Sequence, residues 1–312
     1  MDRLDAMATF LAVVDTGSLS AAGRRLEVPL PTVSRKVADL ERHLGAQLLV
    51  RTSRRAEPTD AGRAYAAAAR HILDQLEEAE QTAAGEYHEP RGALSVTAPT
   101  LLGELHVLPL AAAFLAAHPR IDLRLSLTDA PVNLAEEHVH VAVRVGELAD
   151  SGLMARRVGA ARPLTCASPD YLRRRGAPQA PEDLAAHDGV SFSGFAAFQW
   201  RYVRDGVTLT VEPRSRVTLN SAAAAIGAAS AGLGVTRALD YQAVRALREG
   251  ALVTVLDAFE IAPRPVHLVY TGQGRLPQKV RAFLDWMAPA LKTRLADHGL
   301  DAARPAPALT SG

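Results

Sequence analysis

Cysteine occurs once in 312 residues, at Cys166. An intrachain disulfide framework is therefore excluded, and a reducing compartment is expected. Metal-ligand spacing is missing too: His118, His138 and His140 have no matching cysteines or carboxylates. No Gly-rich phosphate loop, dinucleotide fingerprint or nucleophile–base pairing is visible. Neither a metal, a cofactor nor a catalytic residue is expected, and the chain does not read as an enzyme. The first residues, MDRLDAMATF, carry no basic stretch followed by an apolar one. No signal peptide is read there, and no apolar run reads as long enough to span a membrane. A cytoplasmic protein with no membrane partner is the expectation. Aromatics are sparse at 5%, and the net charge is only +1. The whole-chain charge thus says nothing for or against a nucleic-acid partner.

The distribution of charge says more. Between Arg24 and Arg55 stand eight basic residues and three acidic ones, a local surplus of +5. Such a cluster on a near-neutral chain suits phosphate binding, although a solvated surface would also carry it. Helical signals surround it. A first helix is predicted over 2–14, with Leu4, Met7, Ala8, Leu11 and Val14 as its apolar stripe. Ser18 suits the N-cap of a second helix, Leu19 to Leu26, rich in small residues. Pro31 suits the first position of a third, where its missing N–H costs nothing. Val33, Val37, Leu40 and Leu44 share one face of that helix, and Gly45 stops it. Thr32, Ser34, Arg35 and Lys36 point the other way. Short hydroxyls and long cations reach base edges and phosphates. Two helices joined by a short turn, the second with such a face, make a helix-turn-helix.

A β-like run, Gln47 to Thr52, leads into the basic turn Ser53-Arg54-Arg55 and a return at Ala56 to Thr59. A wing of this kind can lay arginines on the minor groove or the backbone. Thr59 or Asp60 then caps a long helix predicted over 61–85, on the order of 40 Å at 1.5 Å per residue. Ala61, Ala64, Ala68, Ile72, Leu76, Ala79 and Ala83 form a narrow seam along it. A thin apolar seam on a long helix predicts pairing with another helix. Gly85 to Gly92 reads as a hinge. Beyond it, strands alternate with helices, which predicts an α/β fold with a mostly parallel sheet. The strands are 93–98, 121–127, 139–145, 164–167 and 265–271. The helices are 100–117, 132–137, 169–175, 222–231 and 277–291. The Ala/Pro-rich tail reads as disordered.

Gly17-Ser18, Val33-Ser34-Arg35, Leu40-Glu41, Leu44-Gly45, Arg51-Thr52-Ser53-Arg54 and Thr59-Asp60-Ala61-Gly62 follow one another at fixed spacing. In that order they resemble the winged helix-turn-helix of LysR-type transcriptional regulators. His118-Pro119, Ser168-Pro169-Asp170-Tyr171-Leu172, Gly232-Leu233-Gly234 and Leu276-Pro277 are similar to segments of that family's effector domain. The resemblance covers about Asp2 to Leu291. It implies a winged helix-turn-helix over 1–60, a linker and dimerisation helix with a hinge over 61–90, and a two-lobed, periplasmic-binding-protein-like effector domain over 91–296. Lobe I would hold 91–162 and 267–296, lobe II 163–266, and a disordered tail 297–312. It also implies a dimer or tetramer assembled through linker helices and effector domains. Double-stranded promoter DNA and a small-molecule effector would be its partners, with RNA polymerase a further one. Two departures stand out: Glu137-His138-Val139-His140 where the family often has a Gly and an Asp, and Glu57 where it often has an apolar residue. The histidines read either as a pH-sensitive loop or as ordinary loop variation.

The candidate DNA contacts are Pro31 (packing on a base methyl), Thr32, Ser34, Arg35 and Lys36, with Arg51, Thr52 and Arg54 on the wing. The candidate effector contacts start at Pro99, Thr100 and Leu101, where a helix N-terminus suits an anion. Thr128 and Arg144 end strands, where α/β sheets bind ligands, and Ser193 and Thr236 add a second wall. A small carboxylate with Arg144 as counter-charge is the expected effector. Cys166, inside an apolar strand, reads as buried and inert. The rival class is a solute-binding or enzymatic α/β protein with an accessory N-terminal domain. The missing signal peptide speaks against transport, and the missing constellation against catalysis.

Overall fold

The computed structural model describes residues 2–51, 55–83, 89–134, 136–148, 152–193, 200–211, 213–272 and 276–296. They fall into two compact units, one running to Ala93 and taking in 136–138, the other containing 94–134 and 139 onward.

The first unit opens with helix α1 (Arg3–Thr16), whose N-cap Asp2 accepts from the amides of Leu4 and Asp5. Helix α2 (Leu19–Arg25) is capped by Ser18, as its sequence predicts. Helix α3 (Leu30–Leu44) begins one residue before Pro31 and ends at Gly45. Strands β1 (Leu49–Arg51) and β2 (Ala56–Pro58) pair antiparallel as the wing. Helix α4 (Asp60–Ala83) follows. One core holds these together: Ala6, Phe10 and Val13 of α1, Ala22 of α2, Val33, Val37 and Leu40 of α3, Leu49 and Ala56 of the wing, and Ala66 and Ala69 of α4. The stripe of α1 matches expectation in part: Leu11 is buried, and Met7 and Val14 pack against the core as predicted. Ala6, Phe10 and Val13 face the core, whereas Leu4 and Ala8 are exposed. Leu44, expected on the inner face of α3, is also exposed. Glu57 sits exposed opposite Val50, so the wing packs through Leu49 and Ala56 instead.

The second unit contains two five-stranded sheets. The first has strand order β4-β3-β5-β14-β6, from β3 (Gly92–Ala98), β4 (Ile121–Leu127), β5 (Val141–Val145), β6 (Leu153–Ala161) and β14 (Arg264–Thr271). The second has order β11-β8-β12-β7-β13, from β7 (Pro163–Ala167), β8 (Asp188–Phe192), β11 (Arg214–Leu219), β12 (Val235–Leu239) and β13 (Val253–Val255). Hairpin β9 (Arg201–Arg204) and β10 (Val207–Thr210) stands apart. Both sheets are mixed rather than mostly parallel. β3–β5, β8–β11 and β8–β12 run parallel, while β14 lies antiparallel to β5 and β6, and β7 antiparallel to β12 and β13. The cause is topological: the chain crosses between sheets twice, and each crossing inserts a reversed strand.

The first crossing is at Arg162, between β6 and β7. The return precedes Arg264, because Arg264 to Val266 already pair with β6. The helix after Pro99 consists of α5 (Thr100–Leu102), a π-helical stretch (Gly103–Val107) and α6 (Leu108–Ala117). By length and composition Thr100–Ala117 is apolar enough to cross a membrane, contrary to the sequence reading. In the fold it buries Leu102, Val107, Ala111 and Phe114 in the first lobe's core. The helix expected over 132–137 is absent; its described residues form loop and turn. Helices α7 (Pro169–Arg175), α8 (Ala222–Ser230), α9 (Asp240–Arg248) and α10 (Gln278–Ala296) complete the unit. Of the expected hinge, Gly85 to Gly92, residues 85–88 lie outside the described residues, as does the tail 297–312, and Gly92 already opens β3.

Candidate nucleic-acid interface and ligand site

Helix α3 divides its residues by face. Val33, Val37 and Leu40 have no exposed surface, and they seat the helix on α1 and α2. Pro31 and Arg35 are exposed on the other side, with Thr32 and Ser34 half-buried beside them. Lys36 is already engaged: its Nζ lies 2.7 Å from Asp5 on α1. It therefore clips α3 to α1, a contact the sequence did not reveal. Glu41 was read only as part of a motif. Its Oε1 accepts from the amides of Leu48 and Leu49 at 2.9 and 3.0 Å, which ties α3 to the wing. Arg51 lies in β1, paired with Ala56, and its side chain is not among those described; Thr52 and Arg54 lie outside the described residues.

The effector candidates are less uniform. Pro99 is buried, Thr100, Leu101 and Thr128 are half-buried, and they come from the ends of β3 and β4. The Thr128 amide bonds to the Ala98 carbonyl at 3.0 Å, so the structure does bring these two strand ends together. The helix N-terminus there is occupied by the chain's own carboxylate: Asp129 Oδ1 accepts from the Thr100 amide at 3.2 Å. An N-terminal amide so satisfied attracts a second anion weakly. Arg144 Nη2 donates to the Val132 carbonyl at 2.6 Å and so fastens the segment after β4. Thr236 is buried, with Oγ1 donating to the Val190 carbonyl at 3.0 Å. Ser193 Oγ donates to the Leu219 carbonyl at 3.2 Å. The Thr236 hydroxyl is thus buried within the sheet, whereas Ser193 is exposed at the end of β8. His140 accepts the Ser95 amide through Nδ1 at 2.9 Å, which stitches the loop to β3 and requires that nitrogen unprotonated.

Sequence reasoning missed a buried polar network in the second lobe. Arg237 of β12 pairs with Glu260 at 2.7 Å, donates to Thr165 Oγ1 and to the Arg201 carbonyl, and lies 4.5 Å from the centroid of the Tyr202 ring. Thr165 bonds to both Tyr202 and Glu260. Burial raises Glu260 above the usual carboxylate range, and Arg237 pulls it back. Tyr241, at the start of α9, is buried in the first lobe's core with its ring edge-on to His106. Cys166, buried in β7, is pushed up to about 12, first by burial and then by Glu260, which makes it inert.

Comparisons with known proteins agree with this architecture. Residues 4–63 match the bacterial regulatory helix-turn-helix protein, lysR family, and residues 88–292 match the LysR substrate binding domain. The chain is 36% identical over 290 residues to an HTH-type transcriptional repressor of Pseudomonas aeruginosa, covering 92% of each. It is 32% identical over 298 residues to the Escherichia coli regulator YhjC, covering 95% of this chain and all of that one. Among solved structures it is similar to CrgA, a LysR-type transcriptional regulator from Neisseria meningitidis, at TM-score 0.59 and 32% identity, covering 92% of this chain and 98% of that one. The Vibrio cholerae virulence activator AphB is similar at TM-score 0.58 and 28% identity, covering 91% and 98%. A helix-turn-helix with a wing, followed by two mixed α/β lobes, thus agrees with relatives along almost the full length, and the chain belongs to the LysR family of transcriptional regulators.

Proposed function

We propose that α3 enters the major groove of promoter DNA with Pro31, Thr32, Ser34 and Arg35 toward the base edges. The observation that carries this reading is the division of α3, with Val33, Val37 and Leu40 buried and Arg35 exposed on the opposite side. A groove-reading helix needs one anchored face and one free face. Lys36 holds the helix through Asp5 and serves phosphate from the rim, as Arg51, Thr52 and Arg54 do from the wing. The effector is a small carboxylate held between the lobes near Pro99, Thr100, Leu101 and Thr128. Arg144 acts there by ordering the Val132 segment beside Thr128. Thr236 and Ser193 support the second wall through the sheet. The regulator works as a dimer or tetramer in the cytoplasm, with RNA polymerase as its partner at the promoter.

A gel-shift titration with DNA from upstream of the chain's own gene tests the reading. Saturable binding that weakens with salt is expected. Arg35→Ala should lose preference for that DNA over a scrambled duplex, with unchanged melting temperature and oligomer mass. Retained preference would show that another surface reads the bases.

A further inference from the structure

The first unit leaves five large apolar side chains exposed among its described residues: Leu4, Leu30, Leu44, Val50 and Ile72. Of these, only Leu30 has exposed apolar residues on both sides, Pro29 and Pro31. Three consecutive apolar residues in water do nothing for the unit's own core, and such a patch marks a surface that something else covers. Leu30 itself is 45% exposed. It opens α3, the helix whose Val33 and Val37 are buried and whose Arg35 is exposed.

The chain holds this tip stiffly. The Val28 amide donates to the Gly23 carbonyl at 2.9 Å, and the Thr32 amide to the Pro29 carbonyl at 2.9 Å. Gly23 lets the turn lie close on α2: a Cβ there would stand 2.9 Å from the Val28 carbonyl oxygen and 3.8 Å from the Leu30 nitrogen. The backbone of the turn is thus seated on α2, while the Leu30 side chain reaches solvent. A proline ring on each side fixes the neighbouring φ angles, so little backbone freedom is left to lose on contact. The tip offers little to a polar partner. Pro31 has no N–H, Pro29 supplies no side-chain cap, and the Thr32 and Val33 amides already bond to the Pro29 carbonyl. What it presents is hydrocarbon.

The surroundings select the occupant. Arg24 and Arg25 before the tip and Arg35 after it are exposed, in a stretch with eight basic residues against three acidic ones. An apolar groove on another protein would gain nothing from that charge. DNA offers phosphates for the arginines and, in the major groove, one hydrocarbon group on a base edge, the C5-methyl of thymine. We propose that Leu30 is a specificity-determining residue that packs on a thymine methyl in the promoter DNA. The proposal rests on the reading that α3 enters the major groove, and it transfers the methyl contact expected of Pro31 to the longer side chain of Leu30.

The test uses the full-length protein and duplexes from upstream of its own gene, with each thymine of the protected site replaced in turn by deoxyuridine. The exchange removes one methyl group and leaves every hydrogen-bonding group of the base in place. At one thymine or more the wild type should bind the deoxyuridine duplex about fourfold more weakly, the factor that one buried methyl group corresponds to. At that position Leu30→Ala should bind both duplexes equally, Leu30→Met should restore the difference, and Pro31→Ala should keep it. Leu30→Ala should also keep the melting temperature and mass of the wild type, because Leu30 is no part of the unit's core. The proposal is overturned if no thymine is sensitive in the wild type, if Leu30→Ala keeps the sensitivity, or if only Pro31→Ala abolishes it. A lower mass of Leu30→Ala in light scattering would also overturn it, by showing that a second copy covers the tip. The two readings fail separately. Wild type that prefers its own DNA over a scrambled duplex but ignores the methyl loses only the Leu30 contact, whereas wild type with no preference loses the groove reading and this proposal with it.

Discussion

His187 occupies a small polar knot in the second lobe. The Tyr171 hydroxyl accepts from the Asp188 amide at 2.9 Å, so its proton is free to go to Nδ1 of His187, 3.1 Å away. That arrangement needs Nδ1 unprotonated. Burial lowers the His187 pKa, Arg175 lowers it further, and Asp183 and Asp188 recover part of the loss. The folded state therefore takes up a proton at lower pH than the unfolded one, whose imidazole titrates near about 6.5. Stability from this group is complete above that pH and is lost as pH falls toward the folded value. Between about pH 7 and pH 5.5 the wild type should lose more melting temperature than His187→Asn, which keeps an acceptor and does not titrate. Parallel curves for the two proteins would show that the knot does not titrate on folding. None of this was legible in the sequence, because His187 and Tyr171 are sixteen residues apart. Arg237 and Glu260 are likewise far apart in sequence and carry no shared motif. The candidate DNA residues could be picked out for the opposite reason: Thr32, Ser34, Arg35 and Lys36 fall away from the Val33, Val37 and Leu40 stripe, and a 3.6-residue period needs no tertiary information.

Elements were readable where pattern and stop signals agreed. Helix α3 shows this, with Val33, Val37 and Leu40 at regular spacing and Gly45 at its end. Helix α1 shows the reverse. Its apolar residues run almost unbroken from Ala6 to Val14, so the sequence leaves the phase open, and packing against α2, α3 and α4 selects Ala6, Phe10 and Val13. Hairpin β9–β10 escaped notice although Asp205-Gly206 at its turn is a standard two-residue signal, with positive φ at both positions. Helix α4 meets the wing at Gly62. A Cβ there would stand 2.0 Å from the Leu48 carbonyl oxygen and 2.9 Å from its carbon, both immobile backbone atoms. Leu48 is also held by Glu41, so it has little room to move. Gly62→Ala gains about 1 kcal/mol of helix propensity. It should still lower stability by about 1–3 kcal/mol, the usual cost of overpacking. Urea unfolding of the wild type and the variant measures the difference, and an equally or more stable Gly62→Ala would mean that α4 does not rest on the wing this closely.

At the scale of the whole molecule, the ordered series of motifs foretold a helix-turn-helix followed by two lobes, because spacing over sixty residues is far more specific than any one motif. The mixed direction of the sheets was not foretold, since a βα repeat in sequence looks the same whether or not the chain later reverses in another lobe. Assembly depends on a face that the fold leaves uncovered. Along α4 the core takes Gly62, Ala66, Ala69 and part of Leu73. The seam read from the sequence lies beside it: Ala61, Ala64 and Ala79 are exposed, and Ile72 is 42% exposed. An apolar seam of small residues on a 24-residue helix allows close approach of a second helix. Ile72 lies outside the buried core of its own unit, so Ile72→Glu should change the melting of the isolated fold little at low protein concentration. If the seam pairs with a second copy, the charge would be buried there, and light scattering should register a lower mass. DNA affinity should fall with it, because two linked half-site contacts bind far more tightly than one. An unchanged mass in Ile72→Glu would assign assembly to another surface and leave the α4 seam as solvent-facing alanine.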